Sequence, residues 1–142
     1  SRGCWERFAS GSAVGRLARE AAAAGRLPEL VATLGHPDAV RGEDVTSAAA
    51  AGSPEALAVT DEVGWWLARG IANLVAILDV SVVVVGGGLG TVAELLLPPA
   101  RRALHDLVEG AAVREPIELR AARFSAQAGA IGAAFLAREH HR

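Results

Sequence analysis

The sequence predicts an α/β domain in which helices flank a small parallel sheet. Four consecutive valines, Val82–Val85, carry no alternation of polar and apolar residues, which predicts a strand buried on both faces. Glycines 86–88 follow at once, and glycines at the carboxyl end of such a strand let a nucleotide approach the main chain. Alanine-rich segments of helical period lie on both sides of this strand. The strand and its glycines therefore predict a nucleotide-binding edge.

Composition indicates one soluble globular domain. The chain has 142 residues, of which 51% are hydrophobic and 21% charged, enough for one sizeable core. A net charge of -2 offers no basic footprint for nucleic acid. The longest weakly polar segment, 71–90, contains polar residues and changes period midway, so we predict no membrane span.

Two residue counts bear on compartment and completeness. The single cysteine, Cys4, excludes an internal disulfide and fits a reducing cytoplasm. The sequence contains no methionine, whereas an intact translation product begins with one. We therefore expect the sequence to be a fragment of a longer protein.

The first half of the chain predicts four helices. Ser10 precedes a helix over about 13–24, and short helices are expected at 29–34 and 45–51. The stretch 27–42 is the least regular and is expected to be mobile. Ser53 and Pro54 predict the start of a long helix that continues to about Leu78, with the carboxyl half more deeply buried. Adjacent tryptophans on it, Trp65 and Trp66, predict one core residue and one at a cleft or interface.

The second half predicts three helices and a second strand. Thr91 is expected to cap a helix to about Leu97, and Pro98-Pro99 to start another that continues to about Val108. Alternation over 116–123 predicts a half-exposed strand. A final helix over 126–138 presents a ridge of small residues on which another backbone could pack.

The glycines match known nucleotide-binding patterns only in part. Gly86 and Gly88 match two positions of a Rossmann Gly-x-Gly-x-x-Gly, but Thr91 stands at the last, and no strand-end acidic residue follows about twenty positions on. A chain without lysine cannot form a Walker A loop. A glycine-rich turn without a ligand stays open as an alternative.

The amino terminus supplies a second motif. Gly3-Cys4-Trp5-Glu6, followed by Ala9-Ser10-Gly11, resembles the end of the Cys-x-Cys-Gly-x-x-Gly-Cys-x-Glu hallmark of the sugar-kinase branch of the ROK family. Actinobacterial glucokinases have a similar Gly-Cys-Trp-Glu. The resemblance continues in order through segments 71–75, 78–79, 82–88, 94–98 and 128–134. It implies the C-terminal portion of an actin-like, ribonuclease-H-like kinase, with the sugar and zinc motif ending at 3–11 and the adenosine loop at 82–90.

The resemblance also implies roles for single residues. Glu6 matches the glutamate that binds sugar hydroxyls, and Gly86, Gly87 and Gly88 match the loop that binds adenosine. Cys4 matches one of three thiolates that hold a structural zinc with a histidine. The catalytic aspartate of the family matches no position here, so we expect no catalytic residue in this chain. Asp61, Asp79 and Asp106 are expected to be solvated or capping residues.

For the complete protein, the resemblance implies a cytoplasmic homodimer that phosphorylates a hexose, most simply glucose at its 6-hydroxyl, with ATP and Mg²⁺. The fragment alone is expected to be inactive. Several alternatives stay open: a ROK repressor with sugar as effector, a kinase for N-acetylmannosamine, N-acetylglucosamine or fructose, a polyphosphate donor, or a non-catalytic binding module.

Overall fold

The fold is taken from a computed structural model that describes residues 3–140, apart from the side chains of Ala126 and His140. In this part of the chain, six α-helices and two strands alternate with short 3-10 turns. The helices are α1 (Gly11–Ala23), α2 (Pro28–Leu34), α3 (Gly42–Ala50), α4 (Pro54–Leu78), α5 (Ala93–Leu107) and α6 (Ala128–His140). The strands are β1 (Val82–Val85) and β2 (Glu118–Ala121).

Two of the predicted helix starts are confirmed by hydrogen bonds. The Ser10 hydroxyl accepts from the Ala13 amide at 3.2 Å, at the amino end of α1. The Ser53 hydroxyl accepts from the Ala56 amide at 3.4 Å, directly before Pro54 begins α4. Both serines satisfy an amide that has no partner within the first helical turn.

The predicted parallel sheet is confirmed, but its predicted burial is wrong. β1 pairs with β2 in parallel, with Val82 opposite Glu118 and Val85 opposite Ala121. Only Val85 is buried, whereas Val82 is 42% and Val84 60% exposed. Within residues 3–140 the sheet has two strands, so one face of β1 is covered by helices and the other lies open.

Two predicted helices are a single helix in the structure. α5 continues through Pro98 and Pro99, although each proline removes one helical hydrogen bond. Packing on α4 compensates, because Pro99 is buried against Gly64, where an added Cβ would lie 2.7 Å from the Pro99 Cγ. The predicted cap is also wrong, since the Thr91 hydroxyl donates to the Gly88 carbonyl at 2.8 Å and Val92 precedes the helix.

The core forms around α4, which packs on α1, α3 and α5. Its buried face extends from Ala56 to Val75. Its carboxyl half, predicted to be the more deeply buried, supplies six of the eleven buried residues, from Leu67 to Val75, but the last turn is exposed, with Ile77 at 78% and Leu78 at 62%. The prediction that one of the adjacent tryptophans is a core residue is wrong: Trp65 is exposed and Trp66 only half-buried.

Most of α6 is exposed within the described part of the chain. An added Cβ at Gly129 or Gly132 would meet nothing within 4 Å, and Phe135 and Leu136 are both more than half exposed. The expected partner of this small-residue ridge is therefore not among residues 3–140. None of the helices in that range combines the length and apolar composition needed to cross a membrane.

Candidate functional site

The glycine loop, residues 86–90, leaves β1 directly and turns into a 3-10 segment. Gly87 has a φ of +63°, a left-handed conformation that glycine adopts without steric cost. The Ser125 hydroxyl donates to the Gly87 carbonyl at 3.2 Å, which ties the loop to the chain that follows β2. Gly86, Gly87 and Gly88 are exposed. The loop therefore presents bare main chain at the carboxyl end of a parallel strand.

An open cleft of about 360 Å³ adjoins this loop. Its walls are α1 from Gly11 to Arg19, the start of α3, and the glycine loop with the two residues after it. The lining residues are Gly11, Val14, Gly15, Arg19, Arg41, Gly42, Glu43, Thr46, Gly88, Thr91 and Val92.

Glycines set the shape of this cleft. An added Cβ on Gly11 would lie 3.9 Å from the carbonyl carbon of Gly88, so the Ser10-Gly11 segment lies beside the glycine loop. An added Cβ on Gly42 would lie 3.1 Å from the Gly15 nitrogen, so α1 and α3 approach each other backbone to backbone. Main chain therefore forms much of the surface, which suits a flat ligand that must come close.

Glu6 lies in the 3-10 turn Trp5–Arg7, just before α1. The turn is closed by backbone hydrogen bonds from Arg7 to Cys4 at 3.0 Å and from Phe8 to Trp5 at 2.8 Å. The Glu6 side chain is exposed, and within residues 3–140 its carboxylate forms no ion pair and no hydrogen bond. Its oxygens are therefore open to hydroxyl donors from a ligand.

Three aromatic rings, those of Trp5, Phe8 and Trp66, hold this turn on α4, with Trp5 lying over Gly70; we call this group the aromatic clamp. The Trp5 indole N–H donates to the Trp66 carbonyl at 2.8 Å. The Phe8 and Trp66 rings pack with centroids 4.4 Å apart. Sequence reasoning missed the clamp, although a glycine inside a long helix, such as Gly70, indicates close approach by another group.

Arg16 of α1 fixes the turn from the other side. Its guanidinium lies 5.2 Å from the Phe8 ring centroid and donates to the Arg7 carbonyl at 2.8 Å. Gly11 lies five positions after Glu6, a span of at most about 18 Å. The Glu6 carboxylate and the glycine loop are thus joined by a short, doubly anchored segment.

The three aspartates that were not assigned a catalytic role lie on the surface, and two of them form ion pairs. Asp61 pairs with Arg102 at 3.2 Å and Asp79 with Arg114 at 3.1 Å. Asp106 lies 3.3 Å from its neighbour His105. None of the three lines the cleft beside the glycine loop.

Cys4 is exposed, and the described residues contain no group of three or more histidine, cysteine, aspartate or glutamate side chains able to hold a metal ion. A structural zinc requires four ligands in a closed tetrahedron. Residues 3–140 by themselves therefore do not fit a zinc site.

An ion pair with two hydrogen bonds lies on β2, outside the cleft. Arg120 donates to both carboxylate oxygens of Glu118, at 2.7 and 2.6 Å. This hydrogen-bonded pairing lowers the pKa of Glu118 and raises the pKa of Arg120.

Comparison with solved structures defines the class of the protein. A ROK family glucokinase from Streptomyces griseus, in complex with glucose and AMPPNP, matches with a TM-score of 0.86 at 37% identity, over 98% of this chain and 46% of that chain. The chain accordingly has the actin-like ATPase fold, of which residues 3–140 supply helices and a small parallel sheet.

The family model of the ROK family matches residues 1–140, and the chain belongs to that family. A glucokinase from Streptomyces coelicolor is 38% identical over 98% of this chain and 45% of its own length. A ROK family transcriptional regulator, a homolog of the E. coli MLC protein, matches with a TM-score of 0.69 at 26% identity, over 93% of this chain and 32% of that chain. The chain thus spans less than half the length of these relatives.

Proposed function

We propose that the protein containing this chain is a hexose kinase that transfers the γ-phosphoryl group of ATP to glucose and forms glucose 6-phosphate. The observation that carries this proposal is the close approach of Gly11 and Gly88. It joins the segment that ends the sugar motif to the loop that resembles an adenosine site. Support comes from the S. coelicolor glucokinase and from the S. griseus glucokinase that binds glucose and AMPPNP.

The nucleotide lies against the main chain of Gly86, Gly87 and Gly88 and extends into the adjoining cleft. An exposed glycine loop accepts a bulky ligand because no Cβ keeps it away. Arg19 and Arg41 line the same cleft, where planar guanidinium groups can stack on a base or bind a phosphate. The Glu6 carboxylate accepts hydrogen bonds from two sugar hydroxyls.

The chain, residues 1–142, is the C-terminal portion of this kinase. It supplies one side of each substrate site, while the base that takes the proton from the sugar hydroxyl belongs to the remainder of the protein. Phosphoryl transfer depends on positioning and on charge stabilisation by Mg²⁺ bound to the phosphates. The chain by itself is therefore inactive.

Several finer features complete the proposal. Cys4 contributes one ligand to a structural zinc, whose other ligands come from outside this chain. The complete protein is a cytoplasmic homodimer, and the exposed ridge on α6 contributes to its contacts.

The test is a coupled assay of ADP release by the complete native protein with ATP and glucose. Glucose-dependent release is expected, with weaker turnover of N-acetylglucosamine, N-acetylmannosamine and fructose, and none with polyphosphate in place of ATP. If another sugar is turned over in preference to glucose, that sugar replaces glucose as the proposed substrate. If no sugar is turned over with either donor, the proposal of kinase activity is overturned.

A sugar-responsive transcriptional regulator is a second candidate, because the regulator of TM-score 0.69 shares this fold over 93% of the chain. In that case the complete protein would bind glucose without ADP release and would bind DNA in a sugar-dependent manner. The net charge of -2 gives this chain no basic surface for DNA, so DNA contact would require another part of the protein.

A further inference from the structure

Gly70 stands in the interior of α4, where glycine is unfavourable by comparison with alanine. An ideal Cβ built on Gly70 would fall within the indole ring of Trp5, beside its Cε2, Cζ2 and Nε1 atoms. Any other residue at this position would displace that ring. Glycine is therefore required here because Trp5 occupies the space above the helix backbone.

The same missing Cβ gives Trp5 access to a backbone acceptor. Trp66 lies one helical turn before Gly70, and its carbonyl accepts the Trp5 indole N–H at 2.8 Å. A carbonyl oxygen has two lone pairs, so it can accept from the indole as well as within the helix. Contact with Gly70 thus fixes how closely the Trp5 ring approaches α4, and the hydrogen bond from its N–H fixes the orientation of the ring.

Glu6 follows Trp5 directly in the chain and has no such fixation of its own. Its side chain is exposed and makes no hydrogen bond or ion pair within residues 3–140. The direction of its carboxylate is therefore set by the backbone of its turn. That turn is anchored by Trp5 on one side of Glu6 and by Phe8, which packs on Trp66 at 4.4 Å, on the other.

We infer that Trp5 is a positioning residue for the sugar site. The packing of its ring on Gly70 and its hydrogen bond to the Trp66 carbonyl, together called the seat of Trp5, fix the backbone that presents Glu6 to the hexose. This inference rests on the proposed function, because it takes Glu6 as the residue that binds the sugar. Since a misplaced binding group weakens catalysis even when it is present, removing the seat should impair sugar use while Glu6 itself is unchanged.

The experiment compares the complete protein with three variants. Trp5→Phe keeps a ring on Gly70 but removes the N–H donor. Gly70→Ala displaces the ring while Trp5 and Trp66 themselves are unchanged. Trp65→Phe is the matched control, because Trp65 is also an exposed tryptophan, and Phe keeps a ring against Trp66, where the two centroids lie 4.9 Å apart, while within residues 3–140 the Trp65 N–H makes no hydrogen bond that could be lost. Two properties are measured: the KM values for glucose and ATP, and hydrogen exchange of the amides of Arg7, Phe8 and Ala9, which bond back to Cys4 and Trp5.

For Trp5→Phe we expect the KM for glucose to rise roughly three- to tenfold, as for one lost hydrogen bond, and for Gly70→Ala by tenfold or more. The KM for ATP should change less than twofold, amides 7–9 should exchange faster in both variants, and Trp65→Phe should match the wild type. Equal loss for both substrates, or unchanged amide exchange, would overturn the positioning role.

A wild-type protein with no hexose turnover would overturn the proposed function and, with it, the role of Trp5 toward sugar. Exchange at amides 7–9 would still show, separately, whether the seat holds the turn. Faster exchange in a fully active enzyme with an unchanged KM for glucose would instead show that Trp5 fixes the turn without positioning the sugar-binding group.

Discussion

Gly11, the first residue of α1, lies beside Gly88 of the glycine loop. A Cβ added to Gly11 would be 3.9 Å from the carbonyl carbon of Gly88. Two segments 77 positions apart in sequence thereby meet at one cleft, as their numbers show. One segment continues the Glu6 motif and the other follows the parallel strand. Their proximity brings together the two segments to which we assign sugar binding and nucleotide binding.

Gly88→Ala should weaken nucleotide binding without destabilising the fold. An added Cβ at Gly88 meets nothing within 4 Å, and its φ is not positive, so the melting temperature should be unchanged. A methyl group in the path of the nucleotide should cost about 1–3 kcal/mol of binding, a KM for ATP about ten- to a hundredfold higher. An unchanged KM for ATP would show that the nucleotide does not approach Gly88.

Glu6→Gln should raise the KM for glucose by about ten- to a hundredfold. The amide loses charge-assisted hydrogen bonds worth about 1.5–3 kcal/mol, and half of its polar groups are donors rather than acceptors. Glu29→Gln on α2 is a matched control, because Glu29 is likewise exposed and does not line the cleft. Equal effects of the two substitutions, measured by steady-state kinetics, would remove Glu6 from the sugar site.

Because Trp5 contacts Gly70, we expect Gly70→Ala to change stability in opposite directions when Trp5 is present and when it is absent. In the wild type, Gly70→Ala should lower the free energy of unfolding by about 1–3 kcal/mol, because the indole is displaced. In a Trp5→Ala background the same substitution should raise it by about 1 kcal/mol, the helix propensity of alanine over glycine. Thermal unfolding of the four proteins measures this cycle, and additive effects would show that the two residues are not in contact.

Gly64→Ala should destabilise the packing of α4 on α5. An added Cβ would lie 2.7 Å from the Pro99 Cγ and 3.1 Å from the Leu96 carbonyl oxygen, and such overpacking costs about 1–3 kcal/mol. Gly15→Ala is the control, since its nearest neighbour lies at an ordinary 3.5 Å. The two variants should differ in denaturant midpoint, and equal midpoints would show that α5 shifts freely.

Glu118 should titrate below an ordinary glutamate. The hydrogen bond from Arg120 lowers its pKa in the folded state, so this pairing stabilises the fold above the unfolded-state pKa of about 4.3. The contribution is lost as pH falls through the lowered folded-state value. Arg120→Ala should raise the pKa of Glu118 toward its ordinary value in an NMR titration, and an unchanged pKa would contradict the pairing.

Features set by local chemistry could be predicted from the sequence, whereas features set by distant contacts could not. Ser10 and Ser53 act on amides three residues away, and those helix starts are predicted correctly. The continuity of α5 through two prolines depends instead on packing against Gly64, far away in the chain. Local propensity alone therefore predicted a break where tertiary packing maintains a helix.

The candidate site shows the same division. The glycines after β1 could be found because consecutive glycines after an apolar strand form a local pattern. The seat of Trp5 on Gly70 joins residues 65 positions apart, and the only sequence signal for it was a glycine, Gly70, inside the long helix α4. The exposure of Val82 and Val84 was not predictable either, because it depends on how many strands and layers surround β1 rather than on its own residues.

Hexose kinase activity is tested best by NMR analysis of the product that the complete native protein forms from ATP and glucose. We expect glucose phosphorylated on the 6-hydroxyl, equimolar ADP, and strongly reduced product from Glu6→Gln at low glucose concentration. A protein that binds ATP and glucose but leaves both unchanged would contradict the assignment as a hexose kinase.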